Sequence, residues 1–193
     1  MSTNLRETVL SGAHSLLTEH IQALPHLAAS LDLLYEPALF MLTNCLVQGH
    51  KIITCGNGGS FAQASHFAAE LLVRFETDRP AFPAICLSDG ATLSAAGNDF
   101  GFDRVFARQV EALAQPGDVL VPFSTSGRSA NCLEAIAAAN NRGARILGIS
   151  GRQGFRSLVD LEIICPGATT GLIQEMQLLL IHMLVYGIEQ RMK

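Results

Sequence analysis

Charged residues are scarce in this chain, and aromatic residues are scarcer still. Of its 193 residues, 16% are charged and 6% are aromatic, and tryptophan is absent. The basic residues are scattered and the net charge is −4. Nucleic-acid binding needs a concentrated basic face, and a membrane-surface patch needs a basic run. The composition therefore predicts neither a nucleic-acid partner nor a membrane partner.

Paired cysteine motifs are also lacking. The chain has five cysteines, an odd number with no Cys-X-X-Cys spacing. A disulfide-rich secreted protein carries an even, regularly spaced set, so these cysteines predict a reduced, cytoplasmic protein. No basic segment followed by an apolar run opens the chain, and the apolar runs are shorter than the roughly 20 residues of a membrane span. We expect one domain over residues 1–193, with residues 1–50 as a helical extension.

Apolar residues recur at helical spacing through the first fifty positions. Those up to Leu24 predict one helix, which Pro25 interrupts. A second helix is expected from Leu31 to Gly49, with Pro37 as an alternative start. The apolar residues extend beyond one stripe, so we expect these helices to pack against a neighbouring subunit as well as their own core.

Short apolar runs alternate with helical segments after residue 50. The predicted strands are Lys51–Cys55, Ala84–Leu87, Val119–Phe123, Arg145–Ile149 and Leu161–Cys165. The predicted helices are Ser60–Val73, one beginning near Asp89 or Ala91, Ser129–Arg142 and Leu172–Met192. This alternation predicts an α/β fold with a parallel five-stranded sheet covered on both faces.

Two loops that follow strands have the composition of ligand-binding loops. The first, Cys55–Ser60, has the sequence CGNGGS. Phe61 stands where a dinucleotide fingerprint needs its third glycine, and no Gly-Lys-Ser/Thr follows, so both nucleotide motifs are excluded. For this first loop, both a plain glycine turn and a ligand-binding loop remain open.

The second loop, Ser124–Ser129, has four hydroxyls in six positions. Helix capping needs only one hydroxyl, so this loop favours an anion site. Two roles remain open for Arg128, which either adds positive charge to that site or faces solvent.

Three further side chains are candidates for chemistry. His66 and Glu70 are spaced i,i+4 and share one helix face. His182 lies in an apolar stretch of the last helix, which also carries Gln174. A surface pair and a core histidine are the ordinary interpretations of such residues, and composition alone does not choose between these and catalysis.

Together these segments resemble the sugar isomerase (SIS) domain, and specifically the phosphoheptose isomerase family. The resemblance covers nearly the whole chain. It rests on CGNGGS, HFAAEL (66–71), RPxxPAI (79–85), GNDFGF (97–102), GDVL (117–120), STSGxSAN (124–131), IQE (173–175) and IH (181–182). All SIS domains share the hydroxyl loop, whereas the other motifs in this order are far more specific.

The resemblance implies a three-layer α/β/α sandwich, a homotetramer with active sites at subunit interfaces, and a zinc ion. The implied reaction interconverts sedoheptulose 7-phosphate and D-glycero-D-manno-heptose 7-phosphate for lipopolysaccharide or other surface glycans. Glu70 and His182 match the acid/base pair of the family. The implied zinc-site residues are His66, Glu70, Gln174 and His182. The implied substrate contacts are Asn57, Gly58, Ser60, Asp99, Ser124, Thr125, Ser126, Ser129 and Gln174.

Helix geometry limits one of these sets. Residues eight apart on a helix are separated by about 12 Å along its axis, so Gln174 and His182 of one copy strain to reach one metal ion. Ligands from more than one chain relieve that strain.

Some positions depart from the family pattern, and they leave the exact sugar open. The departures are Phe61, Arg128, Leu172 and Gln177. Two other functions remain possible for a SIS protein, namely binding a replication initiator without catalysis and sensing a sugar phosphate. The initiator-binding relatives lack counterparts of Glu70 and His182, and the sensors carry an added DNA-binding domain. This chain has the acid/base pair and shows no such added segment, which favours the enzyme.

Overall fold

The computed structural model describes residues 3–193, with side chains from residue 8 onward. The helices are α1 Thr3–Val47, α2 Gly59–Leu72, α3 Gly90–Phe100, α4 Ala107–Leu113, α5 Ala130–Asn141 and α6 Thr170–Arg191. The strands are β1 Ile52–Gly56, β2 Ala84–Cys86, β3 Val119–Ser124, β4 Arg145–Gly151 and β5 Leu161–Cys165. Two 3₁₀ turns, Phe102–Arg104 and Arg156–Leu158, complete the assignment.

The five strands form one parallel sheet in the order β2-β1-β3-β4-β5. The chain first adds β2 on one side of β1 and then returns to add β3 on the other side. The strand order therefore reverses between β1 and β3, which is where ligands bind in open parallel sheets. The α/β prediction, including all five strands, is confirmed.

Two hydrophobic clusters cover the two faces of the sheet. Along β1, Ile52 belongs to the cluster formed with α1, α2 and α6, and the next residue, Ile53, belongs to the cluster formed with α3, α4 and α5. Val119 and Leu120 divide in the same way on β3. Successive strand residues point to opposite faces. The result is three layers, with the sheet between two layers of helices.

The expected break of the N-terminal helix at Pro25 is wrong, because α1 runs unbroken through both Pro25 and Pro37. A proline within a helix removes one backbone hydrogen bond and crowds the preceding turn. Here buried residues lie on either side of Pro25, namely Ala23 and Leu27, and Leu39 is buried just after Pro37. Since α1 packs along α6 and β5, tertiary contacts hold its segments in line.

Helix α6 is long and apolar throughout. Its length and composition alone would suit a membrane span, but 56% of its most apolar window is buried inside the protein. It packs against α1 and α2, as the central helix of its layer. A core helix explains its composition.

Candidate active site

The two ligand loops predicted from the sequence lie side by side at the carboxyl edge of the sheet. β1 and β3 are hydrogen-bonded neighbours, and Gly56 is in register with Phe123. The glycine loop after β1 and the hydroxyl loop after β3 therefore leave the sheet together. Both lead into helix N-termini, those of α2 and α5, whose first N–H groups lack acceptors within the helix.

Close packing requires glycine within the first of these loops. A Cβ at Gly56 would lie 2.7 Å from the Ser60 carbonyl oxygen, and one at Gly59 would lie 2.4 Å from the amide nitrogen of Gln174. Gly58 has a φ of 54°, which L side chains rarely adopt. The loop is therefore more than a plain turn, because its glycines bring backbone and the Gln174 amide together.

Hydroxyl groups converge within the second loop. The Ser124 Oγ lies 3.5 Å from the Ser126 Oγ and 3.3 Å from the Ser129 Oγ, and it accepts a hydrogen bond from the Gly127 N–H. The Ser126 Oγ accepts from the Arg128 N–H at 3.2 Å. Such a group of hydroxyls at a helix start suits a phosphate group.

Ser129 separates the anion-site interpretation from ordinary helix capping. It occupies the N-cap position of α5, yet its side chain makes no capping hydrogen bond. By contrast, Thr169 at the N-cap of α6 accepts from the Leu172 N–H, as capping residues do. The Ser129 hydroxyl instead faces Ser124. This geometry favours ligand binding.

The predicted acid/base residues lie where the second half of α2, which carries Glu70, packs against α6, which carries His182. The Nε2 atoms of His66 and His182 are 2.9 Å apart, and the Glu70 Oε1 lies 3.6 Å from the His66 Nε2. These side chains are partly exposed, 35% for His66 and 20% for Glu70. The ring of Phe75 stacks on His182, with centroids 5.3 Å apart. His182 lines a cleft of about 470 Å³ between α1 and α6. A carboxylate and two imidazoles therefore meet at an accessible surface.

This trio matches zinc in its donor chemistry. Catalytic zinc sites use three protein ligands, and two histidines with one glutamate is a known set. Two histidine nitrogens that each bind a tetrahedral zinc ion at about 2.0–2.1 Å lie somewhat more than 3 Å from each other. The Nε2 atoms of His66 and His182 are 2.9 Å apart, which is shorter by a few tenths of an ångström. Within residues 3–193, no group of three His, Cys, Asp or Glu side chains has the spacing to hold a metal ion as it stands. The trio thus matches zinc in donor type, and holding an ion would require its side chains to move.

Two other predicted residues lie apart from this trio. The Gln174 side chain lies against Gly59 in the glycine loop, and the backbone carbonyl of Gln174 accepts a hydrogen bond from the Gln63 side-chain amide. Asp99 is exposed on α3 and lines a separate cleft, together with Arg108, between α3 and α4. Within one chain, Gln174 therefore lies beside the glycine loop, whereas Asp99 lies near neither the ligand loops nor the His66–Glu70–His182 trio.

The departures from the family pattern fall in different surroundings. Phe61 borders a cleft of about 260 Å³ beside the glycine loop, and Arg128 is exposed on the hydroxyl loop. Leu172 and Gln177 are buried in α6, where the Gln177 amide donates weakly to the Ile149 carbonyl. Only Phe61 and Arg128 thus lie where a sugar phosphate would contact them.

Some residues of the site were not predicted. Asn131 is buried and holds Asn57 through two hydrogen bonds, and Glu189 is buried beneath the segment that carries Phe75. Asn131 closes the STSGxSAN motif but was not assigned a role. The one available signal for Glu189 was its spacing of seven residues from His182, which puts both on one face of α6.

The strand order, the hydroxyl loop at the switch point and the flanking helices define a class of phosphosugar-binding fold, the SIS domain. The family model described as SIS domain matches residues 20–151.

Similar proteins narrow this class. Phosphoheptose isomerases of Shewanella frigidimarina and Shewanella denitrificans are each 44% identical over 179 residues, spanning 90% of this chain and 91% of theirs. A phosphoheptose isomerase structure from Francisella tularensis superposes with a TM-score of 0.88 at 34% identity, covering 94% of this chain and 98% of that one. A phosphoheptose isomerase structure from Neisseria gonorrhoeae superposes with a TM-score of 0.84 at 37% identity, covering 94% of this chain and 99% of that one. The chain belongs to the phosphoheptose isomerase family, as the sequence motifs predicted.

Proposed function

We propose that this protein interconverts sedoheptulose 7-phosphate and D-glycero-D-manno-heptose 7-phosphate. The observation that carries the proposal is the meeting of Glu70, His66 and His182 where α2 and α6 pack together, in a fold that also has the hydroxyl loop. The family relationship gives the reaction its class, an aldose–ketose isomerisation.

The reaction requires a base and an acid. The base removes a proton from C1 of the ketose while the C2 oxygen gains one, which gives a cis-enediol. The enediol then loses the proton of its C1 hydroxyl and gains a proton at C2, which gives the aldose. Glu70 and His182 are the side chains proposed for these transfers, since a carboxylate and an imidazole can both exchange protons near neutral pH.

The phosphate would bind at the other end of α2. Ser124, Thr125, Ser126 and Ser129 would donate their hydroxyls to its oxygens, with N–H groups of the α5 start beside them. The Asn57–Ser60 segment and Gln174 border the same region and would hold the sugar hydroxyls.

Distance argues that the active site combines two subunits. Glu70 lies about 11 residues, or ~17 Å, along α2 from the glycine loop. The phosphorus and C1 of an extended heptose 7-phosphate are only roughly 10 Å apart, given bonds of about 1.5 Å. We therefore propose that the hydroxyl loop of one subunit works with Glu70 and His182 of another. Asp99 and Gln174 would also meet the second half of the site in this way.

The surface of α1 supports such an assembly. Large apolar side chains are exposed along it, including Leu17 at 62%, Ile21 at 68% and Leu33 at 78%. A helix with this much uncovered apolar area is typical of a subunit interface. A homotetramer is the assembly proposed here.

Zinc is proposed at His66, Glu70 and His182. When bound, a zinc ion polarises a carbonyl oxygen and stabilises charge that develops on it. Three protein ligands suffice for such a site, so Gln174 remains a predicted fourth ligand that a neighbouring subunit would supply. Phe75 would shield the His182 ring from water on its stacked face.

We further propose a cytoplasmic enzyme that supplies heptose for lipopolysaccharide or related surface glycans. All five cysteines are free, which agrees with a reducing compartment.

The reaction is tested by incubating the zinc-loaded protein with sedoheptulose 7-phosphate and following the products by NMR. Conversion to the manno-heptose phosphate, lost in Glu70→Gln and retained in Glu111→Gln, is the expected result. Glu111 is a suitable control because it is a surface carboxylate on α4 that forms ion pairs with Arg104 and Arg108. Sugar-phosphate binding without turnover in the unmodified protein would contradict the proposal and favour a binding or sensing role.

Complementation tests the shared site. Glu70→Gln and the double variant Ser124→Ala/Ser126→Ala are each expected to be inactive. When the two are unfolded and refolded together, mixed oligomers contain some sites with all the required groups. Recovery of part of the activity is expected, and complete inactivity of the properly assembled mixture would show that each site belongs to one chain.

A further inference from the structure

A buried carboxylate lies on α6 behind the candidate acid/base residues. The Glu189 side chain is fully buried. It accepts hydrogen bonds from the backbone N–H groups of Phe75, Glu76 and Thr77, at 3.0, 3.2 and 3.2 Å, and from the Thr77 hydroxyl at 3.1 Å. A single carboxylate thus fixes the conformation of the segment that follows α2.

Arg79 connects this carboxylate to the end of α2. Its Nε donates to Glu189 at 3.1 Å. Its Nη2 donates to the backbone carbonyl of Glu70 at 2.7 Å, and its Nη1 donates to that of Leu71 at 3.0 Å. The last carbonyls of a helix lack partners within the helix, and a cation there is favourable. Arg79 therefore holds the turn of α2 that carries Glu70.

Phe75 connects the same carboxylate to His182. Its N–H is bound by Glu189, and its ring stacks on the His182 imidazole at an interplanar angle of 25°. His182 and Glu189 lie seven residues apart on one face of α6. The segment between Leu72 and Arg79 thus forms a bracket, defined here as residues 73–79, that spans from one acid/base residue to the other.

We propose that the Arg79–Glu189 ion pair is a positioning device for the isomerase reaction, which sets the orientation of both Glu70 and His182 through the bracket. The pair touches neither substrate nor reacting atoms, so its members are positioning residues. This inference rests on the proposed function, because Glu70 and His182 are the groups that it orients.

The contacts argue against a role in stability alone. A buried ion pair adds little net stability over an apolar replacement. Here every donor to Glu189 belongs to the bracket, and the free hydrogen-bonding positions of Arg79 go to the Glu70 turn and the adjoining Pro80 carbonyl. The hydroxyl loop and glycine loop lie at the opposite end of α2 and make none of these contacts. A change at the pair should therefore affect catalysis and leave substrate binding unchanged.

Two conservative variants test the proposal without removing the buried charges. Phe75→Leu keeps an apolar side chain but loses the ring that stacks on His182. Arg79→Lys keeps the positive charge but cannot reach Glu189 and two carbonyls at once. In each variant we expect kcat to fall about 10–100-fold, the size of effect expected from a small misplacement of catalytic groups. KM should change by less than about twofold, and Glu111→Gln should match the unmodified protein.

A spectroscopic readout does not depend on turnover. In the unmodified protein, the stacked Phe75 ring should shift the His182 ring C–H resonances upfield. Glu189→Gln should move these resonances toward those of Phe75→Leu, while Glu111→Gln leaves them in place. Unmoved His182 resonances in folded Glu189→Gln would overturn the proposal, as would full kcat in both conservative variants. If the unmodified protein does not turn over sedoheptulose 7-phosphate, the proposed function fails, and the resonances still decide whether the pair positions His182.

Discussion

The side-chain amides of Asn57 and Asn131 exchange two hydrogen bonds. The Asn57 Nδ2 donates to the Asn131 Oδ1 at 2.7 Å, and the Asn131 Nδ2 donates to the Asn57 Oδ1 at 2.8 Å. Asn57 belongs to the glycine loop, and Asn131 lies in the first turn of α5. The pair therefore ties the two ligand loops together across β1 and β3, and half of the hydrogen-bonding capacity of each amide group is used in this tie.

Removing both members of this pair should cost less than the sum of the two single removals. Asn131→Ala leaves the Asn57 amide without its partners, at a cost of about 1–3 kcal/mol in unfolding free energy. The double variant Asn57→Ala/Asn131→Ala should show a coupling of about 0.5–3 kcal/mol in a double-mutant cycle. Urea unfolding measures all three variants. Additive losses would mean that the two amides do not stabilise each other.

Gly127 should not tolerate alanine. Its φ is +67°, and a Cβ there would lie 2.1 Å from the Gly154 carbonyl oxygen. Gly127→Ala should destabilise the protein by about 1–3 kcal/mol or more and weaken phosphate-sugar binding, because the hydroxyl loop must move. Gly90→Ala is the matched control, since a Cβ at Gly90 meets nothing within 4 Å. Thermal unfolding and KM are measured for both variants. Equal melting temperatures and equal KM values for Gly127→Ala and Gly90→Ala would contradict this prediction.

A charge on the exposed face of α1 should weaken subunit association. Ile21 is 68% exposed, and Ile21→Glu puts a carboxylate where an apolar contact is proposed. The variant should be smaller in light scattering coupled to size-exclusion chromatography, and its activity should fall with its size because the site is shared. Gln22→Glu adds the same charge at an exposed polar neighbour. Equal sizes for the two variants would argue against this face as an interface.

Acid should weaken the bracket through Glu189. Burial raises the pKa of the Glu189 carboxyl. Hydrogen bonds from the N–H groups of Phe75, Thr77 and Glu76 lower that pKa by more than burial raises it, so the net pKa lies below the ordinary value. A carboxyl with a lowered pKa in the folded state stabilises the protein fully above the unfolded pKa, about 4.3, and loses that stabilisation as pH falls through the folded pKa.

The advantage in melting temperature of the unmodified protein over Glu189→Gln should therefore be constant near neutrality. It should shrink as pH falls below about 4.3. Calorimetry between pH 7 and pH 3 measures it. An advantage that persisted unchanged at the lowest pH would mean that the charge of Glu189 does not hold the bracket.

Zinc affinity should depend on His66. His66→Gln removes one of three proposed ligands and should weaken zinc binding by at least ~10-fold in a chelator competition. His50→Gln is the control, since His50 lies near Asp118, away from His66 and His182. Equal zinc affinity in both variants would place the metal elsewhere or exclude tight binding.

Much of the fold was predictable because the strands are short apolar runs that alternate with helical segments, and β1, β3 and β4 end in glycine or serine. β5 was predicted with its exact bounds, Leu161–Cys165, and the other strands within two residues. The short helix α4 was not predicted, since its seven residues carry too little periodicity. Pro25 and Pro37 misled the prediction of α1, because burial against distant elements outweighs their local cost.

Local sequence pattern indicated the hydroxyl loop but no pairing of distant residues, and Glu70 and His182 were linked only through the family resemblance. Four hydroxyls in one loop pointed to an anion site, and three of them, those of Ser124, Ser126 and Ser129, converge in the structure. The ties from Asn57 to Asn131 and from Arg79 to Glu189 link residues 74 and 110 positions apart. Such pairings depend on how the helices pack on the sheet, which no local pattern in one sequence encodes.

The packing of α1 has a consequence for biosynthesis. α1 precedes the other elements of the fold in chain order, and its principal partners, β5 and α6, are the last two elements of the fold. Translation adds about 5–20 residues per second, so the apolar side of α1 stays uncovered for seconds while the intervening strands are made. During that interval the nascent helix is a natural client for chaperones, and the helical layer formed by α1, α2 and α6 closes only when α6 arrives.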